Sequence, residues 1–426
     1  MVVKVLAGGA EAGVLTYNRF DREYVFVYTA DNPISVVMPT ERQAYSQKWD
    51  MIPVFDQRMP EGWLYEVLLN FLRKEFGSID EFDMFCALVP NIEGFLTFEL
   101  SGKSGSKQLK TDVSLSEVLS ADGREIFRYL VEMFLSKSAV SGVQPKVLAD
   151  LSVEHKALVQ TRSFVVKTFG DAFPFLTVVE FLCLEACRHA GLPVPAVHLS
   201  DDWRLLIVER FDTELAFEEF CTLFWKTRRG KYDGSYEKIA RALGKISCQP
   251  EADLSSFYRM FVMNQLLKNG DAHLKNFGIV YSTPLAGDIK LAPVYDVVCT
   301  VVYIPNDLPA LTVSGRKLWL SRKKMIEFGI AACGLTHSDA LETFEQCENA
   351  VAWLQKQLPH WIEEAPSPNA AKVLRHFSKV LEFSLTENLK KTYRRLGHVL
   401  GQLEFRGENT KTAQKGKGPY PNRTRP

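Results

Sequence analysis

"NGDAHLKNFG", residues 269–278, places Asp271, His273, Lys275 and Asn276 within six positions. An apolar run, "FYRMFVMNQLL" (257–267), leads into it, and an apolar segment holding a lone acid, "LAPVYDVV" (291–298), follows. Three readings of the decapeptide stand open: an Asx-rich surface turn, a metal site built on Asp271 and His273, or a loop over which a phosphoryl group moves. No further His or Cys lies near His273 in sequence, which weakens the metal reading.

The rest of the chain sets the bounds. At 426 residues it is long for one core, and two or three units are expected. Apolar residues make up 46% and charged residues 24%, an ordinary globular composition. Fifty-one basic residues balance fifty-one acidic ones, so no global field selects nucleic acid or membrane. None of the eight cysteines forms a C-x-x-C pair, and they read as small buried hydrophobes in a reducing compartment. The beginning of the chain lacks a long apolar h-region and no apolar run approaches about 18 residues, so a cytoplasmic protein without membrane association is expected.

Along the chain, "VVKVLAGG", "AGVLTY" and "YVFVYT" are short β-type runs, "WLYEVLLNFLRKEFG" (63–77) has helical spacing, and "GFLTFEL" (94–100) returns to a strand. This suggests a first unit over 1–115. From 116, helix-like segments lead through "SGVQPK" (141–146) to "SFVVKTFG" (163–170), an alternating strand carrying Lys167. The next helix has Thr177 at a predicted N-cap with Glu180 three residues on, a capping box, and ends at Gly191 and Pro193. "WRLLIVERFD" (203–212) is a strand closing a second unit, 116–211. Helical patterns dominate 212–405, with strand-like pieces at "FGIVY" and "IKLAPVYDVV". The basic, Gly- and Pro-rich stretch 406–426 reads as disordered. A β-rich part followed by a helical part predicts two lobes around a cleft.

Asp271 and Asn276 have the D-x-x-x-x-N spacing of protein-kinase catalytic loops. An aspartate there accepts or orients the proton of an attacking hydroxyl, and the asparagine offers a carbonyl oxygen to Mg²⁺. Asp296, about twenty residues on, supplies a second hard oxygen. A lysine on a buried strand face, like Lys167, is costly unless paired, and in kinase-like folds it reaches the α/β-phosphates. The loop with Gly142 and Lys146 offers backbone amides to phosphates, although it is neither a Walker A nor a G-x-G-x-x-G sequence. Each part has a plain reading alone: an Asx turn, a solvated acid, a lysine snorkelling from an edge strand, a capping glutamate. Their order, loop, strand lysine, helix glutamate, hinge strand, D-x-x-x-x-N and second aspartate, points to phosphoryl transfer.

These motifs resemble the HipA family of bacterial Ser/Thr protein kinases, toxins of HipA–HipB type toxin–antitoxin pairs. "NPISVVMP" (32–39) and "PVFDQRMPEG" (53–62) are similar to proline-bounded patterns of the family's N-terminal subdomain. "SGVQPK" is similar to its Gly-rich loop, and "VEFLCLEACRHAGLPVP" (179–195) to its helix and turn, with Val179 where an asparagine is usual. "VERFD" resembles the hinge, "NGDAHLKNFG" the catalytic loop and "LAPVYDVV" the metal segment.

The resemblance implies an α+β, two-lobed protein-kinase-like fold, with a mixed N-lobe, a mostly helical C-lobe and an additional N-terminal α/β subdomain. It implies ATP and Mg²⁺ as cofactors, with Asp271 as catalytic base, Asn276 and Asp296 as metal ligands, and Lys167 on the ATP phosphates. Ser141, Gly142, Val143, Gln144 and Lys146 would cover the nucleotide. Glu209, through its backbone, and Phe211 would meet adenine, and His273 and Tyr295 would line the same site. In the family a serine of this loop is autophosphorylated; here that position is Ala139, with Ser138 and Ser141 nearby, and Ser141 is the expected acceptor. The implied partners are a protein substrate among translation components such as an aminoacyl-tRNA synthetase, a small helix-turn-helix antitoxin, and operator DNA through that antitoxin. Two alternatives stay open: a small-molecule phosphotransferase, and a catalytically silent nucleotide-binding regulator.

Overall fold

The computed structural model describes residues 2–61, 65–66, 68–70, 72–73, 77–89, 92, 94–100, 114–137, 157–160 and 164–386. It starts with a five-stranded antiparallel sheet. Strands β1 (Val2–Ala7), β2 (Ala10–Asn18), β3 (Glu23–Tyr28), β4 (Ala44–Lys48) and β5 (Leu96–Leu100) lie in the order β4-β3-β2-β1-β5. Alternation dictates its faces: Val3, Val5 and Ala7 of β1 point inward, Lys4 outward. Gly13 of β2 faces Tyr28, where a Cβ would lie 2.3 Å from the Val27 carbonyl, so only glycine fits there. The inner face packs on α1 (Pro53–Asp56), helical residues within 65–73 and α2 (Glu81–Leu88), through Phe26, Phe55, Phe82 and Phe85. Buried Leu68 and Leu72 agree with the helical spacing read in this stretch.

After α3 (Leu115–Ser120) and α4 (Gly123–Lys137) comes a four-stranded antiparallel sheet. It comprises β6 (Ala157–Gln160), β7 (Phe164–Thr168), β8 (Val197–Leu199) and β9 (Leu205–Glu209), in the order β6-β7-β9-β8, with α5 (Leu176–His189) between β7 and β8. Its central strands are apolar on both faces. Val166, Leu205 and Ile207 join the core of the first unit, while Leu206 and Val208 join that of the helical body. One strand pair thus ties two cores together, and Lys167, next to Val166, is sent to the opposite face from it.

The remaining described chain is mostly helical: α6 (Phe220–Leu223), α7 (Tyr236–Ile246), α8 (Pro250–Leu266), α9 (Arg322–Cys333), α10 (His337–Glu363) and α11 (Pro368–Leu385). Tyr236, Phe257, Phe261 and Phe328 interlock at its centre, with the Phe261 and Phe328 rings 4.1 Å apart. A small antiparallel sheet, β10 (Ala216–Glu219), β11 (Gly278–Tyr281) and β12 (Lys290–Leu291), lies on the side of the first unit. The strand-like readings at 277–281 and 289–298 correspond to β11 and the short β12. Strand β10 has no apolar alternation, because one of its inward positions is the buried Glu218.

The two N-terminal motifs dock on β10. Ser35 donates to Glu218 at 2.6 Å, the Val36 amide donates to it at 3.0 Å, and Tyr281 also donates to it. Gln57 donates to the Phe217 carbonyl at 2.9 Å and accepts from Thr222 at 2.8 Å. Three donors offset part of the cost of burying the Glu218 carboxylate, and burial still raises its pKa above the ordinary value. Among the described residues no helix is long and apolar enough to cross a membrane.

Thr177 is not the N-cap of α5: Phe175 holds that position in a left-handed conformation, and the Thr177 hydroxyl donates to the Trp203 carbonyl at 2.6 Å. With the N-cap at Phe175, Glu180 does not stand at the third helical position, and its carboxylate pairs with Lys167. The stretch 138–156, with Ser141, Gly142, Val143, Gln144 and Lys146 and the Ala139 position, lies outside the described residues, as does 387–426 with its basic stretch.

Candidate active site

Lys167 leaves the middle of β7 and reaches two carboxylates. Its Nζ pairs with Glu180 of α5 and lies 2.8 Å from Asp296 Oδ1. Burial alone would lower the lysine pKa, but Asp296 and Glu180 outweigh it, and the ammonium is held charged well above its ordinary range. The other oxygen of Asp296 accepts from Asn276 Nδ2. Asp296 sits at φ +57°, in the left-handed region that Asp and Asn tolerate better than most side chains. One unbroken set of contacts therefore runs Glu180–Lys167–Asp296–Asn276, drawn from a helix, a strand, a loop and the short 3₁₀ turn Leu274–Asn276.

Asn276 also accepts the His273 amide on Oδ1 at 2.8 Å, which closes the turn. Asp271 stands at the start of the same loop. Its Oδ1 accepts from the Tyr232 hydroxyl at 2.9 Å and lies 4.0 Å from His273 Nε2, while the side chain keeps 30% exposure. His273 is buried, and its pKa is pushed down to about 4 by that burial, so the imidazole is neutral at neutral pH.

The loop is braced from behind. The Asp271 amide donates to Asn269 Oδ1 at 3.2 Å, and Asn269 Nδ2 donates to Asn264 at 2.7 Å. The Gly270 amide donates to Thr300 Oγ1 at 2.8 Å. A Cβ at Gly270 would meet Asp307 Oδ2 at 2.0 Å and Thr300 Oγ1 at 2.6 Å, which explains the glycine before the aspartate.

Lys275 belongs to the sequence motif but points away. Its Nζ pairs with Glu219 at 2.8 Å and with Glu61 of the first unit at 3.2 Å. Burial favours the protonated acid at Glu61, but Lys275 and Lys231 outweigh it and lower its pKa to about 2. Phe211 and Tyr295 meet in a three-ring group with Phe217, at centroid separations of 5.3 and 5.7 Å from Phe211. The Tyr295 hydroxyl donates to the Lys275 carbonyl at 2.7 Å. Glu209 is exposed at the end of β9, and its backbone N–H already donates to the Ala196 carbonyl at 2.9 Å, so that group is not open to a ligand.

The structure thus brings together Lys167, Asp271, His273, Asn276, Tyr295 and Asp296, with Phe211 in ring contact with Tyr295 and Glu209 at the end of the neighbouring strand. Sequence reasoning missed Tyr232 and Phe217 and left Glu180 undecided. "GKYDGS" around Tyr232 reads as a polar turn, and nothing in it signals contact with residue 271. Phe217 lies in the strand whose glutamates hid its periodicity.

The chain belongs to the HipA family: the model of the HipA N-terminal domain matches residues 3–99 and that of the HipA-like C-terminal domain residues 138–354. It is 31% identical over 175 residues to a Sinorhizobium fredii protein named "Putative kinase Y4dM", covering 36% of this chain and 42% of that protein. It is 25% identical over 185 residues to a Haemophilus influenzae protein named "Putative kinase", covering 39% and 53%. The chain spans about half the length of these curated relatives. Its fold matches a chain in the solved complex of the Shewanella oneidensis MR-1 toxin–antitoxin system HipA, HipB and operator DNA. The TM-score is 0.63 at 15% identity, over 94% of this chain and 97% of that one.

Proposed function

We propose that this chain is an ATP- and Mg²⁺-dependent protein serine/threonine kinase of the HipA type. In this reading 116–211 form the N-lobe, 212–405 the C-lobe and 1–115 the additional subdomain. The observation that carries it is the contact set Glu180–Lys167–Asp296–Asn276 with Asp271 beside it, in which Lys167 meets Asp296 from 129 positions away.

The donor set fits a hard divalent cation. Asp296 presents carboxylate oxygens on a side chain 27% exposed, whereas Asn276 turns Nδ2 to Asp296 and holds Oδ1 on the His273 amide, so its oxygen would reach a cation shared with Asp296 once the amide rotates. When bound, Mg²⁺ would neutralise charge on the phosphates. The chain's own residues do the rest. Lys167, held charged and aimed by Glu180, would bind the α/β-phosphates. The Phe211, Phe217 and Tyr295 rings would offer an apolar wall to the base. Asp271 would accept or orient the proton of the acceptor hydroxyl, with His273 beside it neutral and adding no competing charge. Catalysis would rest on positioning and electrostatic stabilisation.

Ser141 would be the site of autophosphorylation, which adds negative charge to the loop expected to cover the nucleotide and would expel it. By family, the protein substrate would be a translation component such as an aminoacyl-tRNA synthetase. The partner would be a small helix-turn-helix antitoxin, bringing operator DNA with it, in the cytoplasm.

Incubating the purified chain with [γ-³²P]ATP and cell extract tests this. Label should enter protein on serine or threonine, and Asp271→Ala should lower the rate by at least ~10²-fold while the fold persists. Label moving only to small molecules would favour the small-molecule phosphotransferase, and no transfer by the wild type would leave the silent regulator.

A further inference from the structure

The segment 228–232 touches the first unit on one side and the candidate catalytic loop on the other. Arg228 is clamped by two acids of the first unit: its amide donates to Asp56 at 2.6 Å, and its guanidinium pairs with Asp56 and Glu81. Arg229 pairs with Asp50 at 2.6 Å, and Lys231 with Glu61 at 2.6 Å. Four carboxylates from residues 50–81 thus hold three cations of this strap, Arg228, Arg229 and Lys231.

The next residue, Tyr232, donates to Asp271 Oδ1, and its ring meets that of His273 edge-on at 5.2 Å. The Lys231 carbonyl accepts the Leu274 amide at 3.0 Å, which fixes the strap to the 3₁₀ turn carrying Asn276. The Tyr232 bond uses one carboxylate oxygen; among the described residues no hydrogen bond reaches the other, Oδ2.

We propose that Tyr232 is a positioning residue for Asp271, and that the N-terminal unit sets it through the Asp56–Arg228 and Glu61–Lys231 pairs. A carboxylate free to rotate about χ2 presents either oxygen in many directions. Fixing Oδ1 with a phenol leaves Oδ2, on a side chain 30% exposed, to meet an acceptor hydroxyl. The N-terminal unit is in this way a part of the catalytic apparatus, coupled to the loop by ion pairs that lie mostly out of solvent and resist screening. The proposal rests on the kinase reading for its effect on rate, but not for its effect on the loop.

Two measurements on the full chain test it, using Tyr232→Phe, Asp56→Asn (since Glu61 also pairs with Lys275 of the loop itself) and the double variant. Steady-state transfer should show kcat for Tyr232→Phe lowered about tenfold or more, the scale of one hydrogen bond to a charged group, with KM for Mg–ATP within about twofold. Hydrogen–deuterium exchange on the nucleotide-free protein should show faster exchange at amides 269–276 in both single variants, and Asp56→Asn should add little to Tyr232→Phe in either readout. Unchanged kcat and unchanged exchange in Tyr232→Phe overturn the positioning role. Effects that multiply fully in the double variant overturn the link to the N-terminal unit. If the wild type transfers no phosphate, the kinase reading fails, while the exchange pattern still decides whether the strap holds the loop.

Discussion

Asp271 was legible in the sequence because its spacing to Asn276 is local; Tyr232, thirty-nine positions earlier, was not, because only the fold brings it to the same carboxylate. His273 shows what burial adds. The spacing suggested a residue lining a site, but its charge state depends on packing that no motif encodes. Its folded pKa of about 4 lies below the unfolded value of 6.5. The unfolded chain therefore takes up the proton first, and stability present above pH 6.5 is lost as pH falls towards 4. The full shift corresponds to about 3 kcal/mol. Denaturant unfolding of wild type and His273→Asn between pH 7 and pH 4 should show a steeper acid-side loss in the wild type. Parallel curves would mean the imidazole is not held neutral.

At the scale of elements, the strand lysine was visible because period-2 alternation identifies β7 and places a charge where an apolar residue is expected. Strand β10 was hidden because Glu218 and Glu219 look like surface residues until Ser35, Tyr281 and Lys275 are seen around them. The start of α5 was misread for a similar reason: Thr177 and Glu180 have capping-box spacing, but the tertiary contacts to Trp203 and Lys167 take both side chains. The two accounts of Glu180 separate cleanly. A capping box accepts Gln as well as Glu, so Glu180→Gln would be nearly silent. A buried partner of Lys167 does not, and Glu180→Gln should destabilise by about 2 kcal/mol and raise KM for Mg–ATP. Chemical denaturation with steady-state kinetics reads both.

At the scale of the whole molecule, the division into a β-rich beginning and a helical end was readable from periodicity, whereas the way the parts lock together was not. Val166, Leu205 and Ile207 give one face of the middle sheet to the first unit's core, and the acids at 50, 56, 61 and 81 pair with a strap that touches residue 271. Such contacts depend on side chains more than a hundred positions apart, and each of those acids alone reads as surface. In the proposed function, four segments of the chain form one site for a nucleotide and its metal. Calorimetric titration of ATP, with and without Mg²⁺, into wild type, Asp271→Ala and Asp296→Asn tests it most directly. Asparagine tolerates the left-handed backbone at 296, so this variant removes charge and leaves the conformation. Mg²⁺-dependent binding is expected in the wild type, kept by Asp271→Ala and weakened at least ~10-fold by Asp296→Asn, since one hydrogen-bonding charge is worth that much. Binding that ignores Mg²⁺ and the change at 296 would contradict it.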